Sequence, residues 1–201
     1  MSINKTRNTL IEVARQLFAK LGVDNTTMND IALASHKGRR TLYTYFNNKN
    51  EVYKAVLESE LEQMQQALYE VADRDLPADK KLILFFNTRF KIVKNVVARN
   101  GTLKADFFRD IWRVQYVRKS YDKKEIVVIK DILDQGVTEG IFEMPSTQSI
   151  AEILHHALKG LELPYIRGLM KTTSTDNDTD RNIAYLIFEG IRKKEKINNN
   201  K

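Results

Sequence analysis

Between Gly38 and Phe46 the chain reads GRRTLYTYF: two guanidinium groups, two hydroxyls and two phenols within nine residues, with no carboxylate among them. None of these groups is a general base or an activated nucleophile at neutral pH. They are hydrogen-bonding groups, and arginine in particular offers paired N–H donors in one plane. The chemistry open to them is recognition, of phosphate oxygens and of the polar edges of bases. Catalytic patterns are lacking elsewhere: no G-x-S-x-G, P-loop, H-E-x-x-H or dinucleotide fingerprint occurs, and the carboxylates are interleaved with Lys and Arg as on ordinary helix surfaces. An enzyme is not expected. His155 and His156 are adjacent, so on one helix they point about 100° apart and cannot share a metal. Neither a metal nor another cofactor is expected, and the absence of Cys excludes disulfides and thiol chemistry.

For the arginines to be aimed at anything, a helix must position them. Counting about 100° per residue from Leu42, Phe46 falls near the same side, and Arg40 and Thr44 fall roughly opposite. Tyr43 and Thr41 flank them, whereas Arg39 lies nearer the buried side, at the helix start. Upstream, Thr27 and Asp30 form a T-x-x-D capping box that opens a short helix with a stripe of Met28, Ile31 and Ala32. Ser35 to Gly38 break the pattern. Two short helices joined by such a turn predict a helix-turn-helix, whose second helix enters the DNA major groove. Arg40, Thr41 and Thr44 are then candidates for base contact, and Thr27, Arg39, Tyr43, Tyr45 and Lys49 for phosphate. Lys37 and Gly38, in the turn, complete the candidate DNA-binding set.

Charge is distributed accordingly. Residues 1–50 hold eight Lys/Arg against three acids, whereas 51–201 hold 25 against 23. Positive charge concentrated in one quarter of the chain suits a module that faces a polyanion. A basic helix on a membrane surface would be charged in the same way, and composition does not separate the two. The 42% hydrophobic content supports a core, and only 3 Pro and 8 Gly over 201 residues point to long helices, so the fold class expected is all-α. About nine helices are expected in total. They start at Lys5, Thr27, Arg39, Lys49 and, after the turn at Leu76 to Asp79, near Leu82. A sixth covers Leu103 to Trp112, a charged stretch RKSYDKKE reads as a surface connection, and a seventh carries Ile126 to Val137. An eighth runs from Thr147 to Met170 with a kink at Pro164, and the last carries Ile183 to Ile191. The expected domains are 1–48 for DNA binding, with a fourth helix over 49–73 leading into a helical domain over 49–194, and a tail over 195–201. No stretch approaches the roughly 18 uninterrupted apolar residues of a membrane span, and the N-terminus lacks an apolar signal core, so a soluble cytoplasmic protein is expected.

The string Ile31-Ala32, Ser35, Gly38, Thr41-Leu42-Tyr43, Tyr45-Phe46, Asn48-Lys49 and Glu51 resembles the signature of the TetR family of bacterial transcriptional regulators, IAxxAGVSKGTLYxYFxSKEEL. Where that family has Gly, a small apolar residue, Ser and Gly, this chain has His36, Lys37, Gly38 and Arg40. The resemblance implies a regulator, most often a repressor, that binds a near-palindromic operator as a homodimer and leaves it when a small molecule binds. It implies a four-helix dimer interface from the last two helices, for which Ala157, Gly160, Ala184, Ile187 and Gly190 are candidates. It also implies a pocket among the central helices for an apolar or aromatic effector, for which Phe86, Phe90, Phe107, Phe108, Trp112, Tyr116 and Tyr165 are candidates. The rival reading is an all-α basic adaptor that binds without sequence preference.

Overall fold

The computed structural model describes residues 2–99, 111–166, 185 and 190–192. Seven helices are formed among them, and no strand: α1 (Ser2–Leu21), α2 (Met28–Ala34), α3 (Arg39–Tyr45), α4 (Lys49–Ala72), α5 (Ala78–Arg99), α6 (Ile111–Thr138) and α7 (Thr147–Ile166). About nine were expected. The expected helix over Leu103 to Trp112 lies almost wholly outside the described residues, as do the tail and the polar loop after Met170. Of the last expected helix only Tyr185, Gly190 and Ile191 are described, and all three are helical.

One expectation is corrected. RKSYDKKE is not a connection but lies inside α6, which runs unbroken from Ile111 to Thr138. No Pro and no Gly interrupts the segment before Gly136, and its polar residues are spaced so that Lys119, Lys123 and Lys124 are exposed while Val117 and Glu125 are buried. A charged run at helical phase is compatible with a helix whose other face is packed. Pro164 lies within α7, which continues to Ile166. None of the helices among the described residues is long and apolar enough to cross a membrane.

The chain divides into two compact units, residues 1–65 with 93–121, and 66–92 with 122–201. In the first, the stripe of α1 (Leu10, Ile11, Ala14, Phe18) packs into a core shared with Ile31 and Ala32 of α2, Leu42 of α3, and Val52, Tyr53, Val56 and Leu57 of α4, all buried. Phe18 meets Tyr53 edge-on, with ring centroids 6.0 Å apart. α1 ends where Gly22 adopts φ 86°, a left-handed conformation open to glycine, and its N–H returns to the Phe18 carbonyl. An ion pair joins Arg15 of α1 to the buried Glu60 of α4 at 3.9 Å.

In the second unit, Leu82, Phe85, Phe86 and Phe90 of α5, Val128, Ile129, Ile132 and Leu133 of α6, and Ala151, Leu154 and Leu158 of α7 form the core. Polar ties fix the start of α5 to the end of α6. Glu139 accepts from the Ala78 N–H at 2.9 Å, and Gln135 accepts from Lys81 at 2.8 Å and donates to the Leu76 carbonyl. Beyond α6, Phe142 folds back on Gly136, and residue 143 bonds the Ile191 carbonyl.

Candidate nucleic-acid interface

α2 is fixed before α3 is aimed. Thr27 is its N-cap: the Thr27 hydroxyl accepts from the Asp30 N–H at 3.1 Å, and the Asp30 carboxylate accepts from the Thr27 N–H at 2.9 Å and its hydroxyl at 2.7 Å. These hydrogen bonds, the one from the Thr27 hydroxyl foremost and then the one from its N–H, hold the Asp30 carboxyl below its ordinary range. At the other end Ser35 is buried and its hydroxyl donates to the Ala32 carbonyl, while the His36 and Lys37 N–H groups bond Leu33 and Ala32. His36 carries φ 52°, the left-handed conformation that glycine adopts without strain.

α3 follows with Gly38 as its N-cap and no side-chain cap bond. Leu42 is fully buried and Phe46 nearly so, which sets the phase of the helix. Arg39, Arg40, Tyr43 and Thr44 are exposed, and Thr41 and Tyr45 are half-buried. Helix phase set Arg39 nearer the core, but it is exposed: it is the first residue of the helix, where no preceding turn covers it. The Thr44 hydroxyl donates to the Arg40 carbonyl at 2.9 Å, which leaves its oxygen to accept, for instance from a base amino group.

The start of α4 closes the module. The Glu51 N–H donates to the Asn48 side chain at 3.0 Å, and the Glu51 carboxylate accepts from the Asn47 side chain and N–H, which hold it below its usual value. Lys49 is half-buried and its ammonium donates to the Asp24 carbonyl at 3.1 Å, so it ties α4 to the α1–α2 loop. Sequence spacing gave no sign of that tie, because its partners are 25 residues apart. Thr27, Lys37 and Gly38 are exposed. Arg7 of α1 stacks over the Phe46 ring, 5.5 Å from its centroid, and supports the end of α3.

The other candidate positions lie in the second unit, in part. Phe86 and Phe90 are buried on α5. Phe107 and Phe108 lie outside the described residues, and for Trp112, Tyr116 and Tyr165 only the backbone is described. Ala157 and Gly160 are exposed on α7, and Gly190 is exposed. Ala184 and Ile187 lie outside the described residues.

A polar constellation that sequence reasoning passed over lies in this unit. Arg89 of α5 is fully buried and pairs with Glu125 of α6 at 2.6 Å and Glu162 of α7 at 2.7 Å. His155 of α7, also fully buried, lies 3.3 Å from Glu125 and 3.6 Å from Asp122, and Lys159 pairs with Asp122. Burial pushes the Glu125 carboxyl up, but the Arg89 charge, with hydrogen bonding and charge from His155, brings it below the ordinary glutamate value. The signal was present in the sequence: Arg89 follows Leu82, Phe85 and Phe86 at helical spacing, and Glu125 and Glu162 likewise occupy buried stripes.

A capped short helix, a fixed turn and a second short helix whose outer face is basic, hydroxylic and acid-free define a helix-turn-helix DNA-binding protein. Comparison with known proteins places this module among known regulators. Residues 10–56 match the family of bacterial regulatory proteins, tetR family. Over 146 residues the chain is 25% identical to the uncharacterized HTH-type transcriptional regulator YhgD of Bacillus subtilis, covering 70% of this chain and 73% of that one. It is 36% identical over 89 residues to the probable acrEF/envCD operon repressor of Escherichia coli, 44% of this chain and 38% of that one. Its fold is that of a transcriptional regulator from Cytophaga hutchinsonii, with TM-score 0.74 at 23% identity over 92% of this chain and 98% of the other. Residues 10–56 thus match the tetR family of bacterial regulatory proteins, and they form the helix-turn-helix module of a DNA-binding transcriptional regulator.

Proposed function

We propose that the protein is a repressor that binds a near-palindromic operator as a homodimer and is released by a small-molecule effector. The observation that carries this reading is the exposed face of α3, where Arg40, Tyr43 and Thr44 stand clear behind a buried Leu42. Arg40, Thr41 and Thr44 read base edges. Thr27, Lys37, Gly38, Arg39, Tyr43, Tyr45 and Lys49 border the phosphates, and Thr27 reaches one only by exchanging the bond that its N–H or its hydroxyl makes to Asp30. Lys49 reaches a phosphate only by exchanging the Asp24 carbonyl for it.

Residues 1–48 serve as the reading head in this scheme, and 49–194 bind the effector and the partner copy in the cytoplasm. The exposed face of α7 suits the dimer. Ile153, 61% exposed, lies at helical spacing from His156, Ala157 and Gly160, all exposed, so an apolar and small-residue face is left for a second copy. Two reading helices would then meet half-sites one helical turn apart, about 34 to 36 Å. Phe86 and Phe90 support an effector with an apolar or aromatic body.

Selection of bound duplexes from a random pool tests the reading. Enrichment of a near-palindrome is expected, and a flat outcome with salt-sensitive binding would point instead to an adaptor that does not read sequence. On the selected duplex, Arg40→Ala is expected to weaken binding by about 1 to 3 kcal/mol and to relax the preference at one base pair.

A further inference from the structure

The buried stripe of α1 carries an arginine at its N-terminal end. Arg7 stands three residues before Leu10, four before Ile11 and eleven before Phe18, which at about 100° per residue puts it on the side of those buried residues. It is half-buried, and its guanidinium lies over the ring of Phe46, 5.5 Å from the centroid. An arginine withdrawn from water ordinarily meets a carboxylate. Arg15, on the same helix, pairs with Glu12 and Glu60, and Arg89 pairs with Glu125 and Glu162. The guanidinium of Arg7 has the ring but no ion pair and no hydrogen bond among the described residues. Glu12, one turn further along α1, accepts from Arg15 and Gln16, and Glu51, just beyond Phe46, accepts from Asn47.

We propose that Arg7 holds a phosphate of the DNA backbone beside the end of α3. The inference rests on the operator-binding reading above and adds a residue of α1 to its interface. A guanidinium is planar, so its face can lie on an aromatic ring while its N–H groups donate within the plane. Ring and phosphate therefore do not compete for the same side of it. Phe46 is a fixed platform: it is 3% exposed, it is the C-cap of α3, and its N–H donates to the Leu42 carbonyl at 3.0 Å. Tyr45 and Lys49, on either side of Phe46 in sequence, border phosphates in that reading, which sets Arg7 beside the backbone rather than the base edges. A phosphate supplies the negative charge and the acceptor oxygens that the described residues do not offer it. Stacking on the ring sets the plane in advance, so less freedom is lost when the phosphate binds. Unlike Lys49, Arg7 has no carbonyl to give up first.

Binding of the full chain to the duplex obtained by selection, measured over a series of salt concentrations, tests the contact. Arg7→Met keeps an apolar stem over Phe46 and removes the charge and the donors, so a residue that only covers the ring would be replaced without effect on the salt dependence. The variant is expected to flatten the slope of log affinity against log salt by about 0.9 for each copy bound, and to weaken binding about tenfold per copy at about 0.1 M salt. A single uncharged methylphosphonate moved along the duplex then finds the phosphate. The unaltered chain is expected to lose affinity at a position in each half-site where Arg7→Met does not respond, and the two are expected to respond alike elsewhere. Arg7→Gln takes its place should the methionine variant fail to fold by circular dichroism. Either readout unchanged overturns the assignment and leaves Arg7 a cover for Phe46. A preferred duplex on which the variant behaves as the unaltered chain refutes Arg7 alone, whereas no preferred duplex for the unaltered chain refutes the regulator and this contact with it.

Discussion

Arg39 and Arg40 are adjacent in sequence and both exposed, but they are held differently. Arg40 lies opposite Leu42, whose complete burial fixes the helix phase, and its carbonyl anchors the Thr44 hydroxyl one turn on. Arg39 owes its exposure to being first in the helix. The turn before them carries His36 at φ 52°, where a side chain is strained and glycine is not. His36→Gly is therefore expected to stabilise the protein by about 1 kcal/mol, read as a higher urea midpoint with an unchanged slope. An unchanged or lower midpoint would show that the imidazole compensates the strain through contacts of its own. The left-handed residue could be suspected from sequence because the family pattern has glycine there. That Lys49 bonds the Asp24 carbonyl could not, since nothing local joins those positions.

Among the elements, helix boundaries follow from caps and breakers, whereas their continuity follows from packing. Thr27 with Asp30 and Asn48 with Glu51 start α2 and α4 where the sequence places them. In RKSYDKKE charge density masks helical phase: the stretch is a helix whose Glu125 is buried against α5 and α7. Two expected outcomes belong at this scale. A Cβ at Gly136, within α6, would lie 2.0 Å from the Phe142 ring, so Gly136→Ala must displace a nearly buried aromatic. Such overpacking costs about 1 to 3 kcal/mol, which thermal unfolding measures. Glu125 has a folded value below its ordinary 4.5, so its contribution to stability is fully present above that pH and is lost as pH falls through the lower, folded value. Urea midpoints taken below pH of about 4.5 are expected to decline, and Glu125→Gln to make that decline shallower while lowering stability at neutral pH. A decline of the same steepness in the variant would assign it to other carboxyls.

For the whole molecule the open matter is the second copy. Gly160 is exposed on α7, and a Cβ there meets nothing within 4 Å. Gly160→Leu should leave the single chain as stable as before, or slightly more so because glycine is a poor helix former. If α7 faces its partner through Ile153, Ala157 and Gly160, the same variant is expected to shift sedimentation from dimer toward monomer and to weaken operator binding in step. A variant that remains dimeric would move the interface elsewhere. By itself the sequence determined what is local: an all-α chain, the caps, the turn and the outward phase of Arg40, because these depend on residues a few positions apart and on a period of 3.6. Only the tertiary structure decided that Arg89 is a buried partner of Glu125 and Glu162, which lie 36 and 73 residues away. Charged residues on a helix read as solvated until another helix covers them, and which helix does so is settled by the packing of the whole unit.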